Sequence, residues 1–332
     1  MDILKNRENM KYLILDSKDP YYNLAVEEYL FKTADDDIFM LWQNERTVVI
    51  GKNQNAYAEI NTEYTERENI RIARRITGGG AVYHDLGNLN YTFISPSSVG
   101  HTLDFAGFCA PIIDALRTLG VNAVLSGRND LELDGKKFSG NAQCTSGGRV
   151  LHHGTLLFDT DMDILSSVLL VDEEKIKSKS VRSVRARVTN LKPYLGEVGS
   201  VDVLIDRIVD FVKERYSAEE LAVPQNEEIS ALKARNASKE WLYPECGIAS
   251  AYTKSVKRRY PYGTVEIKIN ISGERIGDVS IQGDFFGAKD VSELERTLAG
   301  CPLAELSLKL GSINVGDFIF GMTAEELFEL IK

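Results

Sequence analysis

The chain has 332 residues, 43% of them hydrophobic, enough to bury a large core with a smaller unit beside it. Its net charge of −10 and pI near 5.1 argue against a general nucleic-acid binder. No apolar run reaches the roughly 18–20 residues that span a bilayer. The opening Met1-Asp2-Ile3-Leu4-Lys5-Asn6 lacks the basic and apolar regions of a secretion signal, so a cytoplasmic protein is expected.

In chain order, Lys11–Leu15 reads as a strand. Asn23 is placed to cap a helix through Lys32, with Glu27 and Glu28 near its positive end. Phe39–Trp42 and Thr47–Ile50 are short, apolar and rich in β-formers, hence two strands. A helix over Thr62–Asn69 leads to a strand, Ile70–Arg75, that runs into Gly78-Gly79-Gly80. Leu89–Ser95 alternates Leu89, Tyr91 and Phe93 with polar neighbours, the pattern of a half-buried strand. Leu103–Leu119 reads as a helix stopped by Gly120 and carrying Pro111. Val201–Tyr216 places Leu204, Ile205, Ile208, Val209 and Val212 on one helical face. The order shows no regular βαβ repeat. The expected fold class is α+β, a mixed, largely antiparallel sheet with packed helices.

After Ser217 the chain is largely polar through Lys239. From Val265 a second unit begins: Val265, Ile267, Ile269 and Ile271 alternate with polar residues, and a turn at Ser272-Gly273-Glu274 leads to a strand ending at Ile281. Helices are predicted at Val291–Ala299 and Thr323–Ile331. The expected division is a large unit over 1–245 and a small α+β unit over 246–332. The four cysteines, Cys109, Cys144, Cys246 and Cys301, form no C-x-x-C pair. Cys144 lies near His152 and His153 in sequence, but free thiols in a reducing compartment are the expectation.

Two segments carry candidate chemistry. In Arg74-Arg75-Ile76-Thr77-Gly78-Gly79-Gly80-Ala81-Val82-Tyr83-His84-Asp85, the glycines let backbone N–H groups approach a ligand, and successive donors in a bend make an anion-binding nest. Arginine forks beside them match phosphate or carboxylate. The loop is neither a Walker A sequence nor G-x-G-x-x-G, since Tyr83 stands where the third glycine would be. In Gly127–Gly140, Asp134-Gly135 signals a tight hairpin. A two-residue turn pairs Leu133 with Lys136, Glu132 with Lys137, Leu131 with Phe138 and Asp130 with Ser139. That puts Lys137 on a polar face with carboxylates and leaves Lys136 on the apolar face beside the turn, so register singles out Lys137 as the working lysine. A further basic run (Lys175, Lys177, Lys179, Arg182, Arg185, Arg187, Lys192) contains no acid and suits an anion.

These segments, with Leu151-His152-His153-Gly154-Thr155-Leu156-Leu157 and Ser180–Asn190, resemble the lipoate–protein ligase family. Asn23–Glu28, Thr47–Gly51 and Gly283-Asp284-Phe285-Phe286-Gly287 extend the resemblance, in matching order and spacing, over nearly the whole chain. It implies a catalytic domain of the kind shared with biotin ligases and octanoyl transferases, then a small accessory domain. It implies ATP with Mg²⁺ as cosubstrate, lipoate as substrate and no tightly bound cofactor. Lipoate and MgATP would give lipoyl-adenylate and pyrophosphate. A lysine on a lipoyl domain of a 2-oxoacid dehydrogenase E2 subunit, or on the glycine-cleavage H protein, would then take the lipoyl group. Neither nucleic acid nor membrane is an expected partner.

The same resemblance makes Lys137 the catalytic lysine, between the acid's carboxylate and the α-phosphate. It carries Arg75, Gly80, Ala81, Val82, Tyr83, Asn129 and Lys137 to ATP binding, and Arg75, Thr77, Gly79, His84, Lys137 and His153 to the lipoyl site. Asp130 is expected beside the phosphates as a Mg²⁺ ligand, and the basic run is expected to fold over the nucleotide. Asn141 and Cys144 depart from some relatives and are expected to border the acyl site. The rival readings are a cysteine-dependent acyl transferase, a biotin ligase and a non-catalytic lipoate-binding protein.

Overall fold

The computed structural model describes residues 10–96, 103–170, 187–244 and 252–332. The large unit contains strands β1 (Lys11–Ile14), β2 (Ile38–Trp42), β3 (Thr47–Ile50), β4 (Arg71–Arg74), β5 (Val82–His84) and β6 (Asn88–Pro96). It continues with β7 (Val124–Ser126), β8 (Asp130–Leu133), β9 (Lys136–Ser146), β10 (Arg149–Leu157) and β11 (Glu219–Glu220). Eight of them form one sheet in the order β11-β1-β2-β6-β10-β9-β8-β7, and β4-β3-β5 form a second. Pairing in the large sheet is parallel at β1–β2 and β1–β11 and antiparallel elsewhere, which is the mixed, largely antiparallel arrangement expected of the sequence. Most of the basic run falls in 171–186, outside the described residues.

Strand β6 departs from its half-buried reading: every residue but Pro96 is buried. Leu89, Tyr91 and Phe93 face the helices Phe105–Thr118 and Val201–Tyr216. The other face is covered too, with Ile94 packed beside the helix Pro20–Thr33 and Thr92 held in hydrogen bonds. Alternation therefore marked two different buried environments, one apolar and one polar.

The first helix starts earlier than the sequence indicated. Asp19 is its cap, accepting from the Tyr21 N–H, and Pro20 occupies the first turn, where its missing donor costs nothing. Asn23 is not a cap. It is buried inside the helix, and its amide donates to Ser17 O and Gln43 O. Glu27 and Glu28 thus sit well past the positive end. Glu28 instead receives hydrogen bonds from Arg235 and Lys32. Burial alone would raise its carboxyl, but these two cations hold it below its ordinary value. Arg235 belongs to the helix Glu227–Asn236, which with the short helix Lys239–Leu242 folds a stretch that read only as polar.

The Asp134-Gly135 turn is present, with φ of 50° and 71° at its two residues. Leu133 pairs with Lys136 and Glu132 with Lys137, as expected, but the register then slips. Leu131 pairs with Ser139 rather than Phe138, and Asp130 with Gly140 rather than Ser139. Phe138 remains in the core while Ser139, expected on the polar face, is fully buried. The bulge brings a glycine opposite Asp130, and a Cβ at Gly140 would lie 2.8 Å from Lys137 Nζ. The lysine end is thereby given room over the strand.

The C-terminal unit holds the expected hairpin, β13 (Gly263–Ser272) with β14 (Arg275–Gly283). An additional edge strand, β12 (Lys254–Tyr260), pairs with β13. Its sequence, Lys254-Ser-Val-Lys-Arg-Arg-Tyr260, hides the strand because charges occupy the solvent-facing edge. Val265, Ile267, Ile269 and Ile281 pack on helices Val291–Leu298, Leu306–Gly311 and Ala324–Ile331 in a core of their own. Among the described residues, no helix is long and apolar enough to cross a membrane.

A Cβ at Gly135 would meet nothing within 4 Å, so substitution there tests conformation alone. Gly135→Ala should lower stability by about 1–2 kcal/mol, read as a reduced urea midpoint with unchanged slope.

Candidate active site

One pocket lies between the glycine loop, β5, β6, β9 and β10. Nine of the predicted residues line it: Arg75, Gly79, Gly80, Ala81, Val82, His84, Asn129, Lys137 and His153. Leu24, Trp42, Val49 and Ala142 add apolar wall, and Asn90, Asn141 and Thr155 add polar wall. Counted out to its open mouth, the space between these walls is about 590 Å³.

Arg75 shapes the loop. Its guanidinium is buried and donates from Nε to Thr77 Oγ1 (3.0 Å), from Nη1 to Val49 O (3.2 Å), and from Nη2 to Gly78 O (2.7 Å) and Gly80 O (2.8 Å). These bonds use four of its five N–H donors. Burial lowers its pKa to about 10, so it stays a cation at neutral pH. Arg74 has a different task. It donates to Gly51 O, Lys52 O, Gln54 O, Trp241 O and Leu242 O, and it does not line the pocket. Only one arginine of the pair therefore belongs to the candidate site.

Behind the pocket wall runs a buried polar chain. Glu27 Oε1 accepts from Thr92 Oγ1 (2.7 Å) and from His153 Nδ1 (2.9 Å). His153 Nε2 then lies 2.8 Å from Thr77 Oγ1, which also receives the Arg75 Nε–H. A carboxylate oxygen only accepts, so His153 Nδ1 carries a proton toward Glu27. Thr77 is fully buried, so it supports the wall without lining it. His84 is 3% exposed, and burial lowers its pKa to about 3, with Arg75 and His153 acting in the same direction. It is a neutral ring. Tyr83 turns the other way: its ring packs with Val48, Ile50 and Ile60, and it does not line the pocket.

Lys137 and Asp130 meet at 2.8 Å, each about one-third exposed. Lys137 lines the pocket and Lys136 lies in solvent, as register indicated. The lysine's backbone carbonyl accepts from Thr189 N–H (2.8 Å), which ties the hairpin to the far end of the basic run. Asn129 and Asn141 are cross-bonded: Asn129 Nδ2 donates to Asn141 O (2.6 Å), and Asn141 Nδ2 donates to Asn129 O (3.0 Å).

The glycine loop does not offer all its donors to a ligand. Gly79 N–H donates to Phe285 O in the C-terminal unit (3.2 Å), and a Cβ at Gly78 would strike the same oxygen at 2.2 Å. Gly79 has φ of 90°, and its open side rests on the Phe286 ring. Arg128 stacks over that ring (4.4 Å) and donates to Tyr262 O. Lys52 pairs with Asp290 (2.6 Å) beside the same contact.

Among the described residues, no thiol stands in this pocket as a nucleophile. Cys109 and Cys144 are both raised to about 12 by burial, and neither lines the pocket. Among the described residues, no group of three or more His, Cys, Asp and Glu side chains stands together as a metal cluster. Sequence reasoning missed Leu24, Trp42, Val49, Asn90, Ala142 and Thr155. Leu24, Val49 and Thr155 lie in segments that carry the family resemblance but were given no role, and Trp42, Asn90 and Ala142 occupy ordinary strand positions.

The geometry is that of a sheet-and-helix domain whose pocket joins one lysine and an arginine-braced glycine loop to an apolar cleft, with a small domain pressed on the loop. The lipoyl protein ligase A/B catalytic domain family matches residues 19–213, and the bacterial lipoate protein ligase C-terminus matches 249–331. Lipoate-protein ligase LplJ of Bacillus subtilis is 37% identical over 325 residues, covering 94% of this chain and 97% of its own. Lipoate–protein ligase 1 of Staphylococcus aureus is 37% identical over 286 residues, 85% of this chain and 87% of its own. Among solved structures, P. falciparum LipL1 in complex with lipoate shares the fold at a TM-score of 0.79 and 23% identity, covering 97% of this chain and 99% of its own. A bi-partite lipoate protein ligase system of Thermoplasma acidophilum, described with its E2 lipoyl domain, gives 0.61 at 28% identity over 75% of this chain and 100% of its own. A lipoate-protein ligase A bound with ATP gives 0.60 at 26% identity, over 71% of this chain and 98% of its own. The chain belongs to the lipoate–protein ligase family.

Thr77→Val keeps the shape of the buried side chain but strands the Arg75 Nε–H. It should cost about 1–3 kcal/mol of stability, measured by urea unfolding. An unchanged midpoint would mean the hydroxyl is not the brace between Arg75 and His153.

Proposed function

We propose that the protein is an ATP-dependent lipoate–protein ligase that activates lipoate as lipoyl-AMP, releasing pyrophosphate, and passes the lipoyl group to a lysine of a lipoyl domain. The observation that carries this reading is the position of Lys137. Its ammonium stands in the pocket wall opposite an arginine-braced glycine loop, beside an apolar cleft suited to an acyl chain. The names of the relatives, the ATP-bound neighbour and the neighbour described with a lipoyl domain support the same reading.

In the first step a carboxylate oxygen of lipoate attacks the α-phosphorus. The new O–P bond forms as the bond to the β-phosphate oxygen breaks, and pyrophosphate leaves. Two anions must meet, so a fixed cation between them reduces their repulsion and stabilises the transition-state charge. Lys137 is assigned that role and is not a covalent nucleophile. In the second step the carrier lysine's amine attacks the acyl carbon, the acyl–O bond breaks, AMP departs with the electron pair, and the amine's proton passes to solvent.

Arg75, Gly80, Ala81, Val82 and Asn129 are assigned to ATP, with Tyr83 serving only through its backbone. Gly79, His84 and His153 are assigned to the acyl side, with Thr77 behind them. Asp130, partly exposed and paired with Lys137, is the residue that would help hold Mg²⁺, which commonly takes one or two carboxylates with substrate phosphates and would offset phosphate charge. The glycine-cleavage H protein is proposed as a second carrier, and the cytoplasm as the compartment. We assign 1–245 to the catalytic domain and 246–332 to the accessory domain.

Purified protein with lipoate, ATP and an apo lipoyl domain should add one lipoyl group per carrier, read by intact mass. Lys137→Ala should reduce pyrophosphate release by about 10²–10³-fold while its melting temperature stays near wild type, since the side chain is partly exposed. Wild-type pyrophosphate release by that variant would remove Lys137 from the mechanism.

A further inference from the structure

Three residues stand in line across the large sheet. Strands β6, β10 and β9 are neighbours in that order, and their registers place Tyr91 opposite Gly154 and Gly154 opposite Asn141. Directly opposed residues share a sheet face, so Tyr91 and Asn141 face each other across a glycine. Their side chains meet there, the Tyr91 hydroxyl donating to Asn141 Oδ1. A Cβ at Gly154 would lie 2.6 Å from Tyr91 Oη and closer still to Asn141 Oδ1. The glycine of His152-His153-Gly154 thus makes room for a contact that passes over the strand between them.

The atoms of this contact allow one arrangement. Asn129 O is a backbone carbonyl and can only accept, so Asn141 Nδ2, 3.0 Å away, faces it. Asn141 Oδ1 is then turned to Tyr91, whose hydroxyl must supply the proton. Burial raises the Tyr91 pKa well above its ordinary value, so that proton is present at neutral pH. Asn141 Nδ2 also has Ser139 Oγ at 3.3 Å. The Asn141 amide is therefore engaged inside the protein, although the residue lines the pocket. Asn129 returns the bond through its own Nδ2 to Asn141 O, and the Asn141 N–H adds another to Asn129 O (2.9 Å). Together these bonds hold Asn129 just ahead of β8. Asp130, next in the chain, pairs with Lys137.

We propose that Tyr91 is a positioning residue for the ATP side of the pocket: through Asn141 it sets the place of Asn129 and, with it, of the Asp130–Lys137 pair. This rests on the reading of the pocket as an adenylation site. Backbone pairing alone does not fix that place, because the register between β8 and β9 slips between Leu131 and Glu132. Tyr91 is fully buried and outside the pocket wall, so it touches neither substrate. Its removal leaves Asn141 Oδ1 buried without its donor, a costly state that the amide relieves by turning away from Asn129.

The test is calorimetric titration of wild type and Tyr91→Phe with ATP and, separately, with lipoate, alongside pyrophosphate release. Tyr91→Phe keeps the ring and should weaken ATP binding and slow pyrophosphate release by about tenfold each, with lipoate binding near wild type. Asn141→Leu, close in shape but unable to hold either partner, should do at least as much. The two changes together should be no worse than Asn141→Leu alone, because Tyr91 then has nothing to act through. Unchanged ATP binding in Tyr91→Phe, equal loss for ATP and lipoate, or losses that multiply in the double variant overturn the proposal. Should Tyr91→Phe fail to fold, Asn141→Leu is read by the same comparison of ATP with lipoate. A wild type that binds no ATP overturns the ligase reading and this proposal together. One that binds ATP without releasing pyrophosphate overturns the ligase reading alone, and the titrations still decide for or against Tyr91.

Discussion

Everything at the site depends on how the Arg75 guanidinium is satisfied. A buried cation needs acceptors, and this one takes them from the carbonyls of Gly78 and Gly80, from Val49 and from the Thr77 hydroxyl. The loop must curl around its own arginine to supply them. That curl leaves no space for side chains at Gly51 and Gly78. A Cβ on Gly51 would strike Gly79 O at 2.1 Å, and one on Gly78 would strike Phe285 O at 2.2 Å. At Gly80 a Cβ would meet nothing within 4 Å, but Gly78 and Gly79 are consequences of close packing, and the small C-terminal unit is one of the packed sides. Through Phe285 and Phe286 it sets the shape of the loop that the pocket presents.

The histidines inherit order from the same frame. His153 is held by Glu27 on one nitrogen and by Thr77 on the other, and Thr77 is held by Arg75. His84 is held from the opposite direction by Asn44. His153 directs Nδ1 to a carboxylate and His84 directs Nδ1 to an amide nitrogen, although both rings line the same pocket. Lys137 with its Asp130 partner, by contrast, is placed by a bulge and a glycine rather than by a buried network. That division fits the proposed roles of an acyl cleft and an activating lysine beside it. It also separates this site from thiol-based acyl transfer, because burial keeps Cys109 and Cys144 protonated and away from the cleft.

Much of this was legible in the sequence where local chemistry decides structure. Asp134-Gly135 fixes its turn through two left-handed residues, and the register it sets reaches Lys137 correctly. The bulge beyond Glu132 was not legible, because it answers to Phe138 entering a core built from distant helices. Asn23 read as a cap because asparagine beside an apolar run looks like one; Pro20 and Asp19 show that the helix begins earlier and that the amide serves a buried link. Arg74 and Arg75 were indistinguishable as neighbours on a strand, but alternation sends them to opposite faces, one toward Trp241 and Leu242 and one toward the loop. Tyr83 and His84 part in the same way. The buried Asn44–His84 contact belongs to tertiary structure entirely.

The division of the reaction into activation and transfer is tested most directly by isotope exchange. Protein incubated with ATP, Mg²⁺, lipoate and labelled pyrophosphate, without any carrier, should return label to ATP, and omission of lipoate should abolish the exchange. Absence of exchange under these conditions, with acyl groups moving only from one carrier to another, would contradict an adenylate intermediate and with it the role of this pocket.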